Sequence, residues 1–236
     1  MVSAIGRLLD ELSWEGNARK YRGGGVGLEN VLTTEVFQAL DLLPRTAFLG
    51  RVLGAASPVS AGATAAIAEA VEQIEGADVD VLAGDATAAD DRVKVQPDAL
   101  IESSSSYVLV EAKRARGGSF QPEQLARELL VASHQGAGRV PLLLLVLGEE
   151  PPIMVKGHGR LSIEDAVRVG QESIEARLGI SCAAVLEDAS IAHLTWERIA
   201  RETGAAADGL AAGDPSLAAA VRRLAGTVID AVSLHR

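Results

Sequence analysis

The sequence predicts an α/β fold in which a mixed central β-sheet is flanked by helices and followed by a C-terminal helix. Three observations carry this expectation. The run VPLLLLVLG at 140–148 is apolar on both of its alternating sides, as in a central strand covered by helices on both faces. Segments with a helical repeat of apolar residues alternate with short strand-like runs. Two strand-like runs, VQPDALIE and YVLVEAK, are separated by four serines, as in a hairpin.

Taken in order, MVSAIGRLLDELSWEG reads as a short amphipathic helix and YRGGGVG at 21–27 as a loop leading into the first core helix. GLENVLTTEVFQALDLLP places Leu28, Val31, Leu32, Val36 and Leu40 at helical spacing. A second helix is expected over 63–75, then strands over 77–84 and 92–102 that form an antiparallel portion of the sheet with YVLVEAK. SFQPEQLARELLVA reads as a helix opening near Pro122. After a loop at Pro151 and Pro152, Ser162 with Asp165 three residues on predicts a helix of about four turns ending before Gly179. The runs ISCAAVLE and SIAHLTW read as closing strands, with Cys182 a buried strand residue and His193 a structural one. Residues 204–215 read as a loose Ala/Gly connection. Asp214 and Pro215 then start a helix with Leu217, Val221, Leu224, Val228 and Val232 on one stripe. The expected division is a domain over 1–203 and a linker with C-terminal helix over 204–236, packed on the core or on a second copy.

The chain of 236 residues is 48% hydrophobic and only 3% aromatic, which suffices for one sizeable core built from Leu, Val, Ile and Ala. A single cysteine excludes an internal disulfide and suits a reducing compartment. No apolar run approaches the length needed to cross a bilayer, so a soluble, cytoplasmic protein without a membrane partner is expected. No nucleotide-binding loop, Ser/His/Asp set or zinc-ligand spacing is present to suggest an ordinary metabolic enzyme.

The chemistry concentrates around Pro97-Asp98 and Glu111-Ala112-Lys113. Alternation along a strand puts Glu111 and Lys113 on one face and Val108, Val110 and Ala112 on the other. Asp98 and Glu111 then converge where the hairpin strands lie side by side. Two carboxylates and a backbone carbonyl make an oxygen-rich set that suits Mg²⁺, with Mn²⁺ as a substitute. A neighbouring lysine orients water and stabilises developing negative charge.

This pattern resembles the PD-(D/E)xK nuclease superfamily, of restriction-endonuclease-like fold, over roughly residues 26–196. The resemblance implies a Mg²⁺-dependent nuclease acting on phosphodiester bonds, most naturally DNA. By the same resemblance Asp98, Glu111 and the Ala112 carbonyl hold the metal and Lys113 serves the attacking water. Gln124 supports the site from its helix, and Glu29 at the start of the first core helix adds an acid, with Glu35 the second choice. The implied setting is a prokaryotic defence or restriction-like system in which a protein partner or a homo-oligomer supplies recognition. A net charge of −10 confines any basic surface to local clusters. Lys20 and Arg22, Arg114 and Arg116, and the Lys156, His158 and Arg160 group are the candidates for nucleic-acid contact. The alternative is a catalytically silent subunit of the same fold that binds a partner.

Overall fold

The computed structural model describes residues 28–89, 91–113, 118–179, 190–210 and 215–235, with the side chains of Leu28 and Glu29 excepted. The expectations for the N-terminal helix and glycine loop, Cys182 and its strand, Lys20, Arg22, Arg114, Arg116 and Asp214 lie outside the described residues.

The main sheet has six strands in the order β1-β10-β7-β6-β5-β2. These are β1 (Ser57–Pro58), β2 (Asp78–Val81), β5 (Ala99–Glu102), β6 (Ser106–Ala112), β7 (Val140–Leu147) and β10 (Ile191–Thr195). Strand β5 runs antiparallel to both β2 and β6, whereas β6, β7 and β10 are mutually parallel, so the sheet is mixed as expected. Every residue of β6 is buried, and β7 is buried from Leu142 onward.

Alternation divides the core in two. Val108, Val110, Ala112, Leu144, Val146 and Leu194 face helices α1 (Leu28–Leu42), α2 (Leu49–Gly54), α3 (Ala63–Glu72), α6 (Trp196–Asp208) and α7 (Pro215–Leu234). Tyr107, Leu109, Leu143, Leu145 and Leu147 face α4 (Gln124–Gln135) and α5 (Ile163–Leu178). Helix α5 is capped as its sequence predicts: Ser162 Oγ accepts from the Asp165 N–H at 3.0 Å, and Gly179 takes the left-handed conformation with φ 64°.

Gly170 on α5 sets the approach of α4. A Cβ added there would meet the Pro122 carbonyl oxygen at 2.6 Å and the Ala126 side chain at 3.1 Å. Gly170→Ala is therefore expected to cost about 1–3 kcal/mol from overpacking, outweighing the roughly 1 kcal/mol gained in helix propensity. Chemical denaturation checks this, and a stabilised variant would contradict the close contact.

Three elements differ from expectation. The stretch 92–102 is not one strand. Its first half is β4 (Val93–Val95), which pairs with β3 (Ala86–Ala88) in a separate hairpin. Pro97 has no N–H for a ladder, so pairing lapses there and resumes at Ala99. Secondly, Trp196 and residues 204–208 belong to α6, not to a strand and a loose linker; Thr195 caps that helix by accepting from the Arg198 N–H. Thirdly, the buried stripe of α7 is Ala218, Ala225, Val228, Ala231 and Val232, with Leu217 exposed. Small residues there let α7 approach α1 and α6, so the helix packs on the core. Pairing of β8 (Ile153–Val155) with β9 (Gly159–Leu161) makes a second small hairpin, which carries Lys156, His158 and Arg160 on exposed positions. None of the helices among the described residues is long and apolar enough to cross a membrane.

Candidate active site

Asp98 is bound to the Glu111 strand where the β5–β6 ladder ends. The Asp98 N–H donates to the Val110 carbonyl at 3.1 Å, and its own carbonyl accepts from the Leu82 N–H at 2.9 Å. Its Oδ2 accepts from the Ala112 N–H at 2.7 Å, replacing a ladder carbonyl. The carboxylate is thus fixed to the backbone of the Glu-x-Lys strand between Glu111 and Lys113.

Glu111 and Lys113 share the α4 face, as alternation requires, and both are buried. Lys113 Nζ donates to Glu111 Oε1 and, at 3.2 Å, to the Ala112 carbonyl. The same ammonium stands 5.0 Å from the centroid of the Phe120 ring, a cation–π contact. The backbone of Lys113 is also held at both polar groups. Its N–H donates to the Val146 carbonyl at 2.8 Å, and its carbonyl accepts from Trp196 Nε1 at 2.7 Å.

Gln124, in the first turn of α4, reaches the site as expected, with Nε2 donating to Glu111 Oε1. One turn further on the same helix face is Glu128, which the sequence reading passed over. It is only 3% exposed, and its Oε2 has no hydrogen-bond partner among the described residues. Glu111, Gln124 and Glu128 together line a recess of about 580 Å³. Glu29 falls in the first turn of α1, its side chain outside the described part. Glu35 is exposed and lies 3.7 Å from His235 Nε2 on α7's side of the molecule, away from the site. His193 does have a polar partner: its Nε2 lies 2.9 Å from Glu150 Oε2. It occupies the same row of the sheet as Glu111, with Leu145 between them.

Electrostatically the site is an acid pair under strain. Burial pushes the Glu111 carboxyl well above its ordinary value, the charge of Glu128 adds to this, and Lys113 opposes it. Burial likewise raises Glu128 from 4.5 to about 7, again opposed by Lys113, while the charge of Asp98 raises it further. A carboxyl raised in this way binds its proton more tightly in the folded than in the unfolded chain. The stability it contributes is complete at acid pH and is lost as pH rises from 4.5 to about 7. Glu128→Gln removes that loss. The variant is expected to exceed wild type at pH 8 by on the order of 3 kcal/mol and to differ little at pH 5. Urea unfolding at the two pH values tests this, and an equal difference at both would contradict it.

These groups fit a hard divalent cation. Two carboxylates open on one recess, one of them with an unpartnered buried oxygen, and Asp98 adds negative charge beside them. Among the described residues no three His, Cys, Asp or Glu side chains form a ready cage. Mg²⁺ requires none, since it commonly takes one or two carboxylates and keeps several waters. Comparison with protein-family models, curated proteins and solved structures returned no match to this chain.

Proposed function

We propose that this protein is a metal-dependent nuclease of PD-(D/E)xK type that hydrolyses phosphodiester bonds, with DNA as the favoured substrate. The observation that carries the reading is the junction of Asp98, Glu111 and Lys113: Asp98 tied to the Ala112 N–H at 2.7 Å, and Lys113 joined to Glu111 beside the recess. Glu128 and Gln124 on the adjoining helix complete the arrangement.

Asp98 and Glu111 would hold Mg²⁺ or Mn²⁺ with waters filling the remaining positions, the Ala112 carbonyl and Glu29 would be further oxygen donors, and Glu128 would face the same recess. Such a cation, when bound, neutralises phosphate charge and makes a bound water more acidic. Lys113 holds a water against the phosphate and offsets the negative charge that grows there. Gln124 fixes the rotamer of Glu111 through its amide. The buried setting of Glu111 strengthens each of these interactions relative to water.

The first test is cation binding. Mn²⁺ should raise the melting temperature of the wild type, and more at pH 8 than at pH 5.5, because protons on the acid pair compete with it. Glu111→Gln should remove most of the shift. No shift in the wild type, or an equal one in the variant, overturns the site.

A second reading is a catalytically silent subunit of the same fold that binds a partner, favoured by the net charge of −10. Against it, a noncatalytic domain has no physical need for two buried acids beside a lysine. Under the first reading, a partner-controlled component of a prokaryotic defence or restriction-like system is the setting. Unaided, sequence-specific cleavage together with a pull-down that recovers no partner would contradict that setting.

A further inference from the structure

The Glu111–Lys113 pair separates two recesses on one face of the sheet. Glu111 lines the first, of about 580 Å³, together with Lys94, Arg127 and Glu128. Lys113 lines the second, of about 440 Å³, with Met154 and Arg160. Because the two side chains touch, the recesses meet at the ion pair.

We infer that these recesses form the track of an unpaired polynucleotide strand, with the scissile phosphate at the Glu111–Lys113 pair and a flanking nucleotide in each recess. The inference rests on the nuclease reading and names its substrate class. Three observations favour an unpaired strand over a duplex. The reacting groups are buried, with Glu111 4%, Glu128 3% and Lys113 9% exposed. A phosphate on an intact double helix belongs to a broad, rigid surface and does not descend into a recess, whereas an unstacked nucleotide does. Each volume falls within the ~300–1,000 Å³ of sites that enclose one small-molecule-sized group.

Charge gives the third argument. Among the described residues, Lys94 and Arg127 are the cations of the first recess, and Arg160 joins Lys113 in the second. Lys94 is paired with Asp85 at 2.5 Å and Arg160 with Glu149 at 2.9 Å, both in solvent-exposed pairs that exchange for a phosphate at little cost. That number of cations serves about two or three phosphates, fewer than the roughly 6–10 contacts of a tight duplex grip. Met154, 41% exposed in the second recess, offers apolar surface to a base without reading its edge.

The test compares binding of oligonucleotides of about 12 residues, as single-stranded DNA, single-stranded RNA and duplex DNA, by fluorescence anisotropy with Ca²⁺ in place of Mg²⁺. Either single strand, or both, should bind at least about tenfold more tightly than the duplex; which one does identifies the sugar. With two or three phosphates engaged, the log–log salt slope should be about −1.4 to −2.1, a roughly 7- to 20-fold loss between about 50 and 200 mM salt. Arg127→Ala and Lys94→Ala should each flatten the slope by about 0.7. Duplex binding as tight as single-strand binding, a slope steeper than about −4, unaltered binding by both variants, or no binding to any of the three overturns the inference. The nuclease reading is judged separately by cutting in Mg²⁺. Metal-dependent cutting without single-strand preference sinks only the track; recess-dependent strand binding without cutting under any metal sinks the nuclease reading and the scissile position with it, and leaves the recesses as a strand-binding site.

Discussion

Lys113→Met is expected to lower metal-dependent phosphodiester cleavage by about 10²–10³-fold, the usual cost of losing one donor aimed at developing charge. Lys113 is the only residue that touches Glu111, the Ala112 carbonyl and the Phe120 ring at once among the described contacts. Methionine keeps most of the length of the side chain and packs against Phe120, so the fold is retained. Glu111 is left without its cation, but burial already favours its protonated form, and it takes up a proton instead of standing as an unpaired charge. The variant should therefore be close to wild type in stability at pH 5 and measurably weaker at pH 8, while cleavage is low throughout. Single-turnover rates and denaturation curves on the same preparations separate the two effects. Wild-type cleavage by Lys113→Met would remove the proposed site.

Trp196→Ala should cost about 3–5 kcal/mol, the largest single stability loss foreseen. The ring is 1% exposed at the start of α6, and its Nε1 hydrogen bond to the Lys113 carbonyl links this helix to the end of β6. Truncation leaves both a cavity and a buried carbonyl without a donor, the latter worth about 1–3 kcal/mol on its own. Trp196→Phe keeps most of the apolar volume and isolates the hydrogen bond. It should lose about 1–3 kcal/mol and also slow cleavage, because the Lys113 backbone is then held only through its N–H. Unfolding followed by circular dichroism measures the first effect. A loss below about 1 kcal/mol for Trp196→Ala would contradict the packing described.

The central part of the fold is legible because β6 and β7 carry unambiguous patterns. Tyr107 to Lys113 alternates around two charged residues, and Leu142 to Leu147 is apolar on both sides. The same alternation puts Glu111 and Lys113 on one face, since side-chain direction along a strand follows from position alone, whereas Asp98 lies just outside β5 and is placed by its hydrogen bonds to Val110 and Ala112. Glu128 escapes this logic. An acid in an amphipathic helix ordinarily faces solvent, and only its position one turn after Gln124, between the buried Leu125 and Leu129, signals otherwise. At Pro97 the signal was available but outweighed: the apolar residues on either side read as one strand, whereas the missing N–H divides them between two sheets. Helix α6 is obscured by Gly204 and by the strand-like Trp196, though Thr195 is a sound N-cap. The stripe on α7 shifts because small alanines, not the larger Leu217, allow close helix approach, a choice that only the neighbouring helices decide.

The most direct measurement is incubation of the purified protein with single-stranded, linear and plasmid DNA at low salt, with Mg²⁺, Mn²⁺ or EDTA. Cutting is expected with either metal, none with EDTA, and little in Lys113→Met; cutting that persists in EDTA, or no cutting of any substrate with either metal, would contradict the proposed nuclease site.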